Sequence, residues 1–250
     1  MPSRSQRKPV RAASPALASP RLQRLARGEP RPGPGAPDAA EAQELCDLCA
    51  VAIPSEHRHL LDLDARQLLC VCRACSLLFD RPAAGRGQLK LVPQRRLRLE
   101  RFVLSDAIWE QLRIPVDMAY FFHDSRQRRV LAYYPGPMGA TESRLELTAW
   151  EALEQANPVL SELEEDVEAL LVNRVGDNRR QWLVPIEDCY RLVAAIRTRW
   201  RGFSGGREVW EAIDAFFAQL DRQARSDPNN ERGGGRGEET RWRSADVKVM

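Results

Sequence analysis

Two Cys-x-x-Cys pairs constrain the fold of this 250-residue chain more than any other feature. A Cys-x-x-Cys turn places two sulfurs close enough to bind one ion, and 22 residues separate the two pairs. Two such turns at hairpin tips bring four thiolates to one tetrahedral site. The spacing therefore predicts a metal site whose ligands are Cys46, Cys49, Cys72 and Cys75.

Zinc fits four thiolates well, because it is redox-inert and a four-thiolate site leaves no open coordination position. The same sulfurs suit iron, either as a mononuclear rubredoxin-like centre or as an iron–sulfur cluster. Glycine often follows the second cysteine of such turns, since that position favours positive φ. Ala50 and Ser76 stand there, which favours zinc. A redox dithiol fits less well, because thioredoxin-like proteins carry one such pair at a helix start.

Three further potential ligands lie between the two cysteine pairs: His57, His59 and Cys70. Cys70, placed on a strand, would share a face with Cys72 and approach the metal, either as a replacement ligand or as a reactive thiol. The favoured interpretation is a small apolar strand residue. His57 and His59 share a face if the backbone is extended, and either could replace a thiolate. A structural role, or a hydrogen bond to a ligand sulfur, is favoured because four cysteines already fill the site.

The chain lacks a run of about 20 apolar residues, the length that spans a bilayer, and lacks the apolar stretch of a secretory signal. We therefore expect a cytoplasmic protein, in which clustered cysteines bind metal rather than form disulfides. The Arg-, Ala- and Ser-rich N-terminus resembles a transit peptide, but its prolines favour a disordered tail. Three of the 38 basic residues are lysine, a bias typical of GC-rich bacterial genomes.

Charge and composition divide the chain into four parts. Residues 1–40 are a basic disordered tail with net charge +6, and residues 224–250 are rich in Pro, Gly and Asn and form a second tail. Residues 41–80 hold the metal module and residues 81–223 form an α+β domain. Because the overall charge is +3 and both ends are basic, the middle is acidic. A nucleic-acid-binding surface is therefore not expected.

The predicted fold class is α+β, with a small zinc-ribbon-like knuckle module of four cysteines joined to a mixed sheet on which helices pack. Patterning predicts hairpins from 57–64 with 67–71, from 116–122 with 129–134, and from 167–175 with 181–184. A strand is predicted over 96–102. Helices are predicted after the N-cap Ser105, after a capping box at Thr148, and on either side of Gly202 to Gly206.

Outside the cysteine module, no arrangement of residues indicates catalysis. Cys189 lies on the apolar stripe of a predicted helix and is interpreted as a core residue. His123 beside Asp124 could form half of an acid/base pair, but no serine or cysteine completes a triad. Gly136-x-x-Gly139 faintly resembles a phosphate loop, but it lacks the lysine of a P-loop and is interpreted as a turn. An enzyme is therefore the less favoured alternative.

Several stretches resemble one known family. The resemblance covers about residues 44–222 and rests on CDLCAVAIPSEHRHLLDLDARQLLCVCRACSLLFD, YYPGPMGATES, NPVLSELEEDVEALLVNR, LVPIEDCYRLVAAIRTRWRGFSGG and EVWEAIDAFFAQL. The chain is similar to an uncharacterised bacterial family carried in nickel–iron hydrogenase gene clusters. This resemblance implies a partner among the hydrogenase subunits or maturation factors, and it implies no established activity.

These observations give two expectations of function. The first is a non-catalytic zinc-binding accessory or scaffold protein linked to hydrogenase assembly or function. The alternative is an iron-containing electron carrier that uses the same cysteines.

Overall fold

The computed structural model describes residues 44–79 and 87–226. These residues form two compact units. The first unit comprises residues 44–79, 87–93 and 164–168, and the second comprises residues 94–163 and 169–226. Residues 1–40 and nearly all of 224–250 lie outside the described residues, so the predicted tails and domain boundaries stay predictions.

The first unit is built on a three-stranded antiparallel sheet. Its strands are β1 (Arg58–Asp62), β2 (Gln67–Val71) and β3 (Leu89–Leu91), in the order β2-β1-β3. The predicted hairpin is confirmed, with His59 opposite Cys70 in the β1–β2 register. A six-residue helix, α1 (Arg73–Leu78), follows β2 directly. Its N-cap is Cys72, so the second cysteine pair opens a helix and does not lie at a hairpin tip as predicted.

The core of the first unit is small. Three aliphatic side chains, Ile53, Leu60 and Val71, are at most 4% exposed and pack with the buried Cys46 and Cys75. The partly buried residues around them include Leu69, Phe79, Leu89 and Leu91. Segment 164–168 belongs to this unit, where the buried Asp166 accepts a hydrogen bond from Lys90 Nζ of β3 at 2.8 Å.

The second unit is organised around a seven-stranded mixed sheet in the order β10-β4-β9-β8-β5-β6-β7. The strands are β4 (Leu97–Arg98), β5 (Met118–Asp124), β6 (Arg129–Gly136), β7 (Gly139–Ser143), β8 (Glu168–Asn173), β9 (Arg180–Pro185) and β10 (Arg225–Ser226). Strand β4 pairs antiparallel with β9, and β5 pairs antiparallel with β6 and β8, whereas β10 runs parallel to β4. With the helices, this arrangement is α+β, as predicted.

Four helices complete the second unit: α2 (Asp106–Gln111), α3 (Leu147–Ala156), α4 (Ile186–Arg199) and α5 (Arg207–Gln223), with a 3-10 turn at Pro158–Glu162. One face of the sheet, which includes Phe121 and Leu170, packs against Trp109 of α2 and Trp150 of α3. On the other face Trp182 stacks on Phe217 of α5. Strand β8 is a central strand buried on both faces of the sheet. This burial explains why its residues 169–172 are all apolar.

Several predicted elements are confirmed. Ser105 caps α2 by accepting a hydrogen bond from Ile108 N–H at 3.2 Å. Strands β5 and β6 pair as predicted. The turn before α5 needs glycine at position 205, where φ is +91° and an added Cβ would lie 2.8 Å from Val209 Cγ1.

Other predictions were wrong. The strand expected over 96–102 spans only two residues, because the chain turns at Glu100 and Arg101. The capping box at Thr148 does not form, since α3 begins one residue earlier with no side-chain cap. Trp210 follows the spacing of the apolar residues of α5, such as Val209, Ile213 and Phe217, but it is 42% exposed.

Candidate metal centre

The first cysteine pair lies in a tight turn closed by backbone hydrogen bonds. Cys46 N–H donates to Val51 carbonyl at 2.8 Å, and Ala50 N–H donates to Cys46 carbonyl at 2.8 Å. Ala50 has φ +57°, so this position takes the left-handed conformation that usually calls for glycine. The absence of glycine here therefore does not count against a rubredoxin-like iron turn, contrary to the expectation from sequence that it favours zinc.

The second pair is held by the start of α1. Cys72 has extended backbone angles at the N-cap, and its Sγ accepts a hydrogen bond from Cys75 N–H at 3.4 Å. The first turn of the helix then sets the direction of the Cys75 side chain. The sulfur takes the place that a serine or aspartate oxygen usually fills at an N-cap.

The two pairs converge. The Sγ atoms of Cys46, Cys49, Cys72 and Cys75 all lie within 4.8 Å of one another, and those of Cys49 and Cys72 are 3.7 Å apart. At a Zn–S distance of about 2.3 Å, two sulfurs on a tetrahedral ion are about 3.8 Å apart. A disulfide would need a separation of about 2.05 Å. These four cysteines are free, and their arrangement can hold a metal ion.

Burial differs among the four residues. Cys46 and Cys75 are 2% and 8% exposed, Cys72 is half-buried, and Cys49 is exposed. The group therefore lies at the edge of the small core, with its Cys49 side towards solvent. An ion bound there would be anchored to the core by two ligands.

The electrostatics of the group favour a cation. Burial raises the pKa of Cys46, but N–H groups of Cys72, Cys49 and Leu48 outweigh it and hold the pKa at about 6. The neighbouring thiols of Cys49 and Cys72, together with burial, raise the pKa of Cys75 to about 12. One thiolate is thus stabilised by the backbone, whereas further negative charge is disfavoured by the sulfurs already present. A bound cation removes that penalty.

Cys70 does not belong to the group of four sulfurs, and its role as an additional ligand stays a prediction. Its backbone instead ties the first turn to the hairpin. Asp47 N–H donates to Cys70 carbonyl at 2.8 Å, and Cys70 N–H donates to Asp47 Oδ2 at 2.6 Å. Asp47 is a positioning residue that the sequence did not reveal, although a polar side chain inside a metal turn is a signal worth testing.

Cys70 groups with the two histidines instead. The Cys70 sulfur and one ring nitrogen each from His57 and His59 lie within 4.8 Å of one another. The ring centroids of the two histidines are 4.7 Å apart. The hairpin register could have revealed this grouping, because a turn over 63–66 places His59 opposite Cys70.

The other residues considered for chemistry belong to the second unit. Cys189 is fully buried, as predicted, and burial raises its thiol pKa well above the usual value. His123 Nε2 lies 3.2 Å from Glu154 Oε1, beside the ring of Trp150. Gly136 and Gly139 flank the two-residue turn of the β6–β7 hairpin, so the turn interpretation is confirmed.

Fold and site together define an α+β protein with a four-cysteine candidate metal centre. The chain matches a family of unknown function, DUF5947, over residues 45–224, and it belongs to that family. No curated protein and no solved structure matches the chain. Among the described residues, no helix is both long and apolar enough to cross a membrane.

Proposed function

We propose that this protein is a non-catalytic zinc-binding accessory or scaffold protein of the cytoplasm, which acts in the assembly or function of nickel–iron hydrogenase. One observation carries the zinc assignment: four cysteine sulfurs lie within 4.8 Å of one another. Four thiolates on one ion fill its tetrahedral shell. Such a closed site cannot activate water, and redox-inert zinc cannot carry electrons.

The spacing of the sulfurs favours one ion over an iron–sulfur cluster. In an iron–sulfur cluster bound by four cysteines no iron binds all four ligand sulfurs, so some of these sulfurs stand further apart than sulfurs that share one ion, whereas here all four lie within 4.8 Å of one another. The 3.7 Å between Cys49 Sγ and Cys72 Sγ agrees with a shared ion. A mononuclear iron centre has the same geometry and stays the alternative.

The order of elements also supports zinc. A metal-binding turn, a β-hairpin and a helix whose first turn carries the second pair follow one another in the chain. This order differs from the zinc ribbon expected from sequence, in which both pairs lie at hairpin tips. The two unlike pairs also differ from rubredoxin-like sites, in which two similar turns hold iron.

A structural zinc site has no reaction of its own and serves partner binding by stabilising the fold that carries it. Exposed side chains then make the contacts with the partner. On the second unit the turn between α4 and α5 presents Phe203, whose side chain is fully exposed, close in sequence to the 42% exposed Trp210. Exposed aromatic side chains are typical anchors of protein interfaces. The family resemblance supplies the partner class, a hydrogenase subunit or maturation factor.

Two measurements test the proposal. Elemental analysis and a visible spectrum of protein purified without oxygen should show zinc and no iron–thiolate absorption. Absorption that bleaches on reduction would establish the iron-containing carrier in its place.

The partner is tested by affinity purification from cells that express the hydrogenase. We expect recovery of a hydrogenase component, less recovery with Phe203→Ala, and lower hydrogenase activity in a deletion strain. Leu147→Ala, which also removes an exposed apolar side chain, is the matched control and should not change recovery. Unchanged hydrogenase activity together with no recovered component would contradict the scaffold role.

A further inference from the structure

We propose that His57, His59 and Cys70 form a second metal site that binds a divalent transition-metal ion in an exchangeable manner. This site shares no ligand with the four-cysteine group. It does not depend on whether the first ion is zinc or iron, or on a hydrogenase partner.

The hairpin brings the three ligands together. His59 on β1 lies opposite Cys70 on β2, and His57 lies two residues before His59, where its ring lies against that of His59. One nitrogen from each ring and the Cys70 sulfur are within 4.8 Å of one another. A paired antiparallel ladder fixes the positions of the two strand residues.

His57 supplies an observation that is independent of this clustering. Its Nδ1 lies 2.9 Å from the Pro54 carbonyl, and a ring nitrogen beside a carbonyl carries the proton. Its Nε2 therefore holds the lone pair, and this atom is buried without a hydrogen-bond partner in the described part of the chain. Only 7% of the side chain is exposed. A buried nitrogen without a partner is destabilising, and a metal ion bound to Nε2 would satisfy it.

Charge around the three ligands favours a cation. Glu44 places one carboxylate oxygen 3.8 Å from His57 Nδ1 and the other 3.7 Å from Cys70 Sγ. A cation bound between these side chains would be attracted by the Glu44 carboxylate.

The ligand set defines the class of ion. Two imidazole nitrogens and one thiolate suit borderline-soft divalent ions such as Zn²⁺ and Co²⁺, and disfavour Mg²⁺ and Ca²⁺. Three protein ligands leave one position for the exposed Glu44 or for water, as in sites that exchange their fourth ligand. His57 also lines a cavity of about 550 Å³ with Cys72 and Pro54.

The test is a cobalt titration of the full-length protein, with metal content measured after each of two chelation steps. Wild type should bind two equivalents, and a mild chelator should remove only the second. His59→Gln and Cys70→Ser should keep the first equivalent and weaken the second by at least about tenfold. His123→Gln, which alters the histidine of the second unit, is the matched control and should change neither.

Each outcome decides the question. A second equivalent unaffected by both variants, or a wild type that binds one equivalent, would overturn the second site. If a variant loses both equivalents it has unfolded, and X-ray absorption of the loaded wild type then decides: nitrogen ligands on the exchangeable ion support the site, and their absence refutes it. Failure of the four-cysteine proposal looks different, since the tight equivalent then disappears from the wild type.

Discussion

Replacing Cys46 by serine should unfold the first unit and leave the second folded. Cys46 is 2% exposed and lies in the core beside Ile53, Leu60 and Val71. Removing its sulfur deletes one of four proposed ligands and places a hydroxyl in a site shaped for a thiolate. Because metal sites of this kind seldom form without the ion, metal binding and folding are linked.

The magnitude follows from the size of the core. Full burial of an aliphatic side chain contributes about 1.5–3 kcal/mol. Six buried aliphatic side chains within residues 44–93 of the first unit therefore contribute roughly 9–18 kcal/mol; they are Ile53, Leu60, Leu61, Leu63, Val71 and Val92. A structural zinc ion contributes about 10–16 kcal/mol in zinc-finger peptides. The ion thus contributes about as much as all these side chains together, which alone do not offset a conformational entropy of about 1–2 kcal/mol per residue.

Hydrogen exchange followed by mass spectrometry checks this expectation. In Cys46→Ser, or after complete chelation, the amides of β1, β2 and α1 should lose protection, whereas those of β5 and β8 should keep it. The second unit has its own core of 17 buried residues. Unchanged protection of β1 and β2 in metal-free protein would refute the link between metal and folding.

Four further outcomes are expected. Cys72→Ser should abolish binding of the first ion and Cys70→Ser should retain it, as metal analysis would show; the reverse would exchange their roles. Ala50→Gly should raise the first unit's denaturation midpoint by the equivalent of about 0.5–1 kcal/mol, because it relieves left-handed strain; a fall would contradict this. Native Cys189 should resist alkylation until the protein unfolds, and rapid labelling would show that its burial is wrong. Asp188→Ala should cost about 3–5 kcal/mol in thermal unfolding, because it leaves Arg96 without its main partner; a loss under about 1 kcal/mol would refute that role.

The convergence of the four cysteines could be predicted from sequence because spacing alone restricts how sulfurs meet. The kind of turn could not, since Ala50 adopts a conformation that its identity does not suggest. Likewise, the helix after Cys72 is only six residues long, too short for a clear apolar period. Strand β2 ends at Val71, so Cys72 begins the helix and does not continue the strand that carries Cys70.

In the second unit, strong local signals predicted the correct elements, as at Ser105 and in the β5–β6 hairpin. Wrong predictions occurred where contacts between distant parts of the chain determine the length of an element or the exposure of a side chain. Strand β4 has two residues because its neighbours in the sheet pair with it only there. Trp210 follows the apolar period of α5, yet its indole N–H bonds the Ser204 carbonyl at 3.3 Å at the exposed end of the helix.

Segment 164–168 makes the first unit discontinuous in the sequence. The chain leaves this unit after Pro93, returns at Glu164 and leaves again after Glu168. A fragment that stops at residue 93 therefore lacks Asp166, the buried partner of Lys90. The metal-bearing unit therefore cannot be moved to another protein as one continuous segment without residues of the second unit. Recombination at a single point between residues 94 and 163 would separate its two parts. Gene fusions that preserve this unit must carry the intervening seventy residues of the second unit with it.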